Sequence, residues 1–409
     1  MADTKNDKNF NSPALRFPGF TEPWKQYKLS DFLEFKNGLN PDAKRIGKPG
    51  IKFISVMDIL NAETIKYETI RGEVKATEKE ISEFSVGYGD ILFQRSSETL
   101  EDIGRANVYL DQRKAVFGGF VIRGKKIADY NPLFFRYNLL SPNTRRRIIP
   151  MGAGAQHFNI SQDGLKQVSL HIPINEEQQK IADLLQLLDE RIATQRRLIK
   201  DFRSLRRAIL QGAISRGLSK KSWKLTSLND ILTERGERNS AGYDVCSVSV
   251  SEGVVNQIEY LGRPFAAKET GHYNVAHYGD IIYTKSPTGS FPYGIVKRDT
   301  QKEPAAISPL YGVFVPKCDW IGILLGYYFE SEVNTFNYLH PIIQKGAKNT
   351  INITNSGFLA NSVPLPMDEN EALTLAKCLD TISNKIVLEK SVLAHYTEQR
   401  EYLLSKMFV

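Results

Sequence analysis

Two stretches of the chain place apolar side chains at alternating steps of four and three residues. The first runs Ile181, Leu185, Leu188, Ile192, Gln195, Ile199, Phe202, Arg206, Ile209, Ala213. The second runs Leu375, Leu379, Ile382, Ile386, Glu389, Leu393, Tyr396, Arg400, Leu403, Met407 and is the first displaced by 194 positions, polar interruptions included. Such spacing is the seam of a coiled coil, and neither stretch has an internal proline to break a helix. At about 1.5 Å per residue these helices extend roughly 50 to 60 Å, too long for one small domain to cover. Each needs a partner, and the other copy is the nearest one. An antiparallel pairing aligns Leu188 with Met407, Ile192 with Leu403, Ile199 with Tyr396, Phe202 with Leu393 and Ile209 with Ile386. It also sets Gln195 against Arg400 and Arg206 against Glu389, and a polar pair at a seam specifies register.

The segments before each helix repeat as well. Trp24-Lys25 with Leu29, Asp31 and Leu33 returns 199 positions later as Trp223-Lys224 with Leu228, Asp230 and Leu232. Tyr88-Gly89-Asp90-Ile91-Leu92-Phe93-Gln94-Arg95-Ser96 returns 190 positions later as Tyr278-Gly279-Asp280-Ile281-Ile282-Tyr283-Thr284-Lys285-Ser286. Gly154-Ala155 and Asn159-Ile160-Ser161 return as Gly346-Ala347 and Asn352-Ile353-Thr354. Within the repeats, Lys52 to Val56, Asp90 to Phe93, Val116 to Ile122, Asp244 to Val250 and Gly312 to Val315 have the β-rich character of strands, and Pro132 to Leu140 and Ile321 to Phe329 of helices. The expected fold class is α+β: two tandem mixed α/β domains separated by two long helices that pair as an antiparallel coiled coil, with an internal pseudo-twofold repeat. The expected boundaries are a flexible N-terminus 1–13, a first domain 14–175, a central helix 176–215, a second domain 216–367 and a C-terminal helix 368–409.

Composition narrows the chemistry. The 409 residues carry 54 Lys+Arg against 46 Asp+Glu, a formal net charge of +8 that permits attraction to phosphate without requiring it. Cys246, Cys318 and Cys378 are too few and too scattered for a disulfide framework. The polar stretch Met1 to Pro13 lacks an apolar signal core, and the longest apolar run, Ile321 to Phe329, is far short of a membrane span. The expectation is a cytoplasmic protein with no membrane role.

No site for catalysis, metal or cofactor emerges. There is no phosphate loop, no dinucleotide-binding glycine pattern and no Cys/His cluster at ligand spacing. Asn131-Pro132-Leu133-Phe134 approaches the Asn-Pro-Pro-Tyr/Phe loop of amino-methyltransferases, but the second copy has no Asn-Pro at this place. Pro41-Asp42 with Glu73-Val74-Lys75 fits the loose metal-nuclease pattern and also lacks a counterpart. Both fit accident better than activity.

Two variable bodies, each with a Gly-Asp-Ile-Leu/Ile-Phe/Tyr strand followed by a basic residue and Ser, and each leading through a proline-containing turn into a long helix, resemble the specificity subunit of type I restriction-modification systems. Glu176-Glu177-Gln178 with Ile181, and Leu15 to Phe20, carry the closest local likeness. The resemblance implies a non-catalytic subunit that reads a bipartite duplex DNA target, one half per target-recognition domain, with the helix pair setting the spacer. It implies two methyltransferase subunits and restriction/motor subunits as partners, with S-adenosylmethionine, ATP and Mg on those partners and none on this chain. A helical scaffold that binds protein without reading DNA is the alternative.

The candidate reading surface in the first domain is Arg95, Ser96, Ser97, Arg105 and Asn107, with Gln156 and His157 on a second, glycine-rich loop. Lys285, Ser286, Thr288 and Ser290, with Lys348 and Asn349, hold the matching places in the second domain. Basic and hydroxyl or amide side chains on short loops suit phosphate contact combined with hydrogen bonds to base edges. Arg145-Arg146-Arg147 fits a solvated helix end better than a phosphate contact, and the basic stretch from Arg196 to Arg207 suits either DNA across the spacer or an acidic partner surface.

Overall fold

The computed structural model describes residues 11–61, 63–262, 269–345 and 351–409. The chain forms two compact units, one of Met1–Arg196 with Ser391–Val409 and the other of Arg197–Lys390. In the first, strands β1 (Leu33–Asn37), β2 (Ile91–Gln94), β3 (Ala106–Val108) and β4 (Val121–Lys126) make an antiparallel sheet in the order β1-β4-β2-β3. Helix α1 (Pro132–Leu140) follows β4, and the central helix α2 spans Asn175–Lys220. In the second unit β5 (Leu232–Glu234), β6 (Ile281–Tyr283), β7 (Val296–Arg298) and β8 (Gly312–Pro316) repeat the sheet as β5-β8-β6-β7, followed by α3 (Asp319–Tyr328) and the C-terminal helix α4 (Glu369–Lys406).

β2 and β6 read as unbroken apolar runs because both faces are covered. Ile91 and Phe93 enter one core with α1 and the long helices, while Leu92 turns to a second core with Tyr109 and Phe117. Ile281 and Tyr283 divide from Ile282 in the same way. The run expected over Val116 to Ile122 is instead two strands, Ala115–Phe117 and β4, broken by Gly118-Gly119-Phe120. Glycine is required there, since a Cβ on Gly119 would lie 1.7 Å from Asn40 Oδ1.

Each unit contains part of both long helices, and every seam position named above is buried or half-buried. In the first unit Ile181, Leu185, Leu188 and Ile192 share a core with Leu403, Leu404, Met407 and Phe408. In the second, Leu210 and Ile214 share one with Ala372, Ala376 and Leu379. The segments run antiparallel, and each unit adds a polar lock. Arg400 Nε donates to Asp189 Oδ1 at 2.5 Å, and Asp189 Oδ2 also accepts from Tyr137 at 2.9 Å and Arg136 at 3.3 Å. In the second unit Arg206 donates to Ser383 and, at 2.5 Å, to Glu330, with its guanidinium 4.5 Å from the Tyr327 ring centre. Asp189 and Ser383 stand six residues before the partners the seam pattern assigned, Gln195 and Glu389, which are themselves buried. For Arg400 the carboxylate of Asp189 offers a guanidinium more than the neutral amide of Gln195 does, while Arg206 meets an equivalent carboxylate, Glu330, brought by the domain rather than by the helix.

The motif at the start of α2 has a structural use. Arg16 makes a bidentate pair with the fully buried Glu177, 2.7 Å on each arm, and Leu15 N–H donates to the Lys406 carbonyl. Gln178 accepts from Asn131 N–H and donates to the Pro173 carbonyl, while Asn131 Oδ1 caps α1 by accepting from Phe134 N–H. The Asn-Pro pair is therefore a helix cap with proline in the first turn. Glu73, the other resemblance to an enzyme, is paired to Lys52 across neighbouring strands at 3.0 Å.

Candidate nucleic-acid interface

In the first unit the chain leaves β2 at Arg95 and enters a two-residue strand, Ser96–Ser97, which pairs with Phe158–Ile160, itself paired with Gly152–Ala153. The two loops that the sequence nominates separately are thus one small sheet. Ser96 Oγ donates to Asn159 Oδ1 at 2.5 Å, and Gln94 Nε2 donates to the Ser96 carbonyl at 2.8 Å. Asn159 was absent from the candidates, although its return as Asn352 in the second copy marks it. Between the paired strands, Gln156 and His157 are exposed. The turn depends on Gly154 at φ 142°, where a Cβ would lie 2.1 Å from the His157 carbonyl oxygen.

Arg95 is held on three sides. Its N–H donates to the Phe120 carbonyl at 2.9 Å, its own carbonyl accepts from Ile160 N–H, and its guanidinium reaches the Gly119 carbonyl at 3.2 Å. Arg105 lies on the exposed edge and pairs with Asp102 at 2.6 Å. The hydroxyl of Thr99, followed by Arg105, holds that carboxyl below its usual range. Asn107 does not belong to the surface. Its side chain is 2% exposed, donating to the Ile59 carbonyl and accepting from Arg136 Nε and Val108 N–H. On the edge strand β3 it is turned inward, where the Ile59 carbonyl and Arg136 cover it.

The arginine run after α1 divides too. Arg145 bonds the Glu101 and Ile103 carbonyls, and burial lowers its guanidinium to about 10; Arg147 bonds the Ser169 carbonyl. Arg146 alone of the three is exposed.

In the second unit, Lys285 follows β6 in the left-handed region at φ 58°, half-buried, with its ammonium pKa lowered by desolvation. Ser286 is exposed, and Thr288 and Phe291 exchange backbone hydrogen bonds to close a tight turn. Ser290 Oγ donates to Glu332 at 2.5 Å. Lys348 and Asn349 lie outside the described residues, although Gln344–Lys345 and Ile351–Asn352 on either side pair with each other.

The family of type I restriction modification DNA specificity domains matches residues 21–201. That stretch of the chain is similar to such a domain. The MjaX type I restriction enzyme specificity subunit of Methanocaldococcus jannaschii is 23% identical over 219 residues, an alignment covering 51% of this chain and 50% of that protein. Thus the match spans about half the length of that relative. The S subunit of a type I restriction-modification system from M. genitalium has the same fold over 97% of this chain and 99% of its own, with a TM-score of 0.56 and 14% identity. A chain of a type I R-M system, solved in work on complex assembly and conformational transition, covers 96% of this chain and 98% of its own, at 0.50 and 14%. The fold likeness therefore extends beyond the matched specificity domain through the second unit. No helix among the described residues is long and apolar enough to cross a membrane, and no three described His, Cys, Asp or Glu residues gather as a metal site.

Proposed function

We propose that this chain is the DNA-reading, non-catalytic subunit of a type I restriction-modification complex, and that each unit reads one half of a bipartite duplex target. The observation that carries the reading is the twofold construction: one sheet order built twice, with a basic residue and serine leaving the same strand of each, on two helices that contribute to both units. In the first unit Arg95, Ser96, Arg105, Gln156 and His157 form the reading edge, joined by Asn159; in the second, Lys285, Ser286 and Thr288 do, with Lys348 and Asn349 beyond the described residues. Arg and Lys would meet phosphate, and the hydroxyl and amide groups base edges.

At about 1.5 Å per residue, the 46 residues of α2 and 38 of α4 correspond to roughly 70 and 57 Å of helix, long enough to fix a spacer of unread base pairs. The same helices would dock two methyltransferase subunits, with restriction/motor subunits joining them; S-adenosylmethionine, ATP and Mg would act there, in a cytoplasmic complex. The test maps methylated host DNA with the chain intact, deleted, or carrying a foreign Trp24–Ile172 segment. A split motif that vanishes on deletion and changes in one half on the swap supports the reading. Methylation identical in all three states overturns it and favours a scaffold.

A further inference from the structure

Leu310 and Phe120 are the two most exposed large apolar side chains among the described residues, at 72% and 69%. They lie 190 positions apart, the displacement that relates β2 to β6 and Arg95 to Lys285. Both occupy the same turn of the repeated fold, Phe120 between Ala115–Phe117 and β4, Leu310 between Ala305–Ile307 and β8. The local sequences around them differ, Gly118-Gly119-Phe120 against Ser308-Pro309-Leu310, so the exposed apolar tip is kept while its frame changes. Single exposed apolar residues are ordinary on a protein surface; two at equivalent places in both units are harder to attribute to chance.

Their setting points to a ligand. Phe120 is backbone-bonded to Arg95, whose guanidinium is bound to the neighbouring Gly119 carbonyl, so the cation is held against the turn that carries the apolar tip. Lys285 holds the matching position in the second unit, two residues beyond the Tyr283↔Gly312 pair just as Leu310 lies two residues before it. Tyr88 and Tyr278 are also equivalent and exposed, but they precede the strand rather than follow it, and the Arg298 guanidinium lies 4.8 Å from the Tyr278 ring centre. An apolar tip beside a cation suits duplex DNA: the cation takes a phosphate, and the tip enters a base step, as apolar wedges do in proteins that unstack DNA.

We propose that Phe120 and Leu310 are wedge residues, one per half-site, each inserted at a base step while Arg95 or Lys285 grips the adjacent backbone. The inference rests on the DNA-reading function above. The test uses the full chain assembled with its methyltransferase subunits on duplexes carrying the mapped target, with 2-aminopurine placed at successive steps. The wild-type complex should brighten one step in each half. F120A should abolish the signal in one half and weaken binding about tenfold with an unchanged salt slope, L310A should do the same in the other half, and F120L should retain the signal. Neither tip packs in a core, so the alanine variants should fold normally. Specific binding with no brightened step, or brightening that survives F120A and L310A, overturns the wedge alone. Loss of methyltransferase subunits from the F120A complex without DNA would assign the tip to a protein contact and equally overturn it. A wild-type complex that binds no specific duplex overturns the DNA-reading function itself, and the wedge with it.

Discussion

Removing the carboxylate of Asp189 should loosen the first unit more than any other single polar change on its helices. Asp189 accepts from Arg400 at 2.5 Å, Tyr137 at 2.9 Å and Arg136 at 3.3 Å. Its side chain is 13% exposed and that of Arg136 only 7%. D189A takes an acceptor from two guanidinium groups and a phenol, and leaves the Arg136 cation, already disfavoured by desolvation and otherwise hydrogen-bonded to the neutral Asn107 amide, without the Asp189 charge. Breaking one side of a buried pair costs about 3 to 5 kcal/mol. Arg400 is partly open to water, which places the expected loss near the lower end, about 3 kcal/mol. D189N keeps the shape and one acceptor and should lose about half of that, the share carried by charge. Hydrogen exchange of the β1, β2 and β4 amides reads the unit directly, because the slowest amides report its global opening. A double-mutant cycle with R400A should return a coupling of at least about 1 kcal/mol. Protection in D189A within about 0.5 kcal/mol of wild type, or additivity with R400A, would refute the claim that this lock joins the helices to α1.

Three further outcomes are expected. R16A strands the fully buried Glu177 carboxylate and should lower stability by about 2 to 4 kcal/mol in denaturant unfolding, while R16K, which cannot supply two parallel bonds, should recover only part. Burial raises the Asp299 carboxyl from 3.8 to about 6, with one oxygen unpartnered. Its contribution to stability is therefore complete below about pH 3.8 and is lost as pH rises through 6. D299N should be more stable than wild type at pH 8, by roughly 2 kcal/mol, and should flatten the pH profile of the second unit between 4 and 7 in thermal melts. Finally, R95A should weaken DNA binding and shallow the slope of log affinity against log salt by about 0.9, whereas N107A, a change inside the sheet, should leave that slope unaltered in a salt titration.

The division between local and long-range information is visible in individual residues. Seam spacing in the sequence located both long helices and their buried faces, because side-chain direction along a helix follows from periodicity alone. Internal repetition likewise revealed that one fold is built twice, since the same strand and turn chemistry recurs at matched displacements. Where those elements meet was decided by tertiary structure. Ser96 and Asn159 are 63 positions apart, and only the pairing of their strands makes one reading edge of two loops. Asn107 has the composition of a surface residue and a buried position, because β3 packs under residues that precede it by about 48 positions. Arg400 and Arg206 took carboxylate or hydroxyl partners six residues from those the seam suggested: a heptad pattern says which face is buried, while a long flexible guanidinium chooses among acceptors that other elements bring to it. Phe120 and Leu310 show the same limit, as nothing local separates an apolar residue at an exposed turn tip from one in a core strand. Periodicity is written in neighbouring residues and can be read from them; the choice of partner is a free-energy comparison among groups distant in the chain, and only the folded structure makes it.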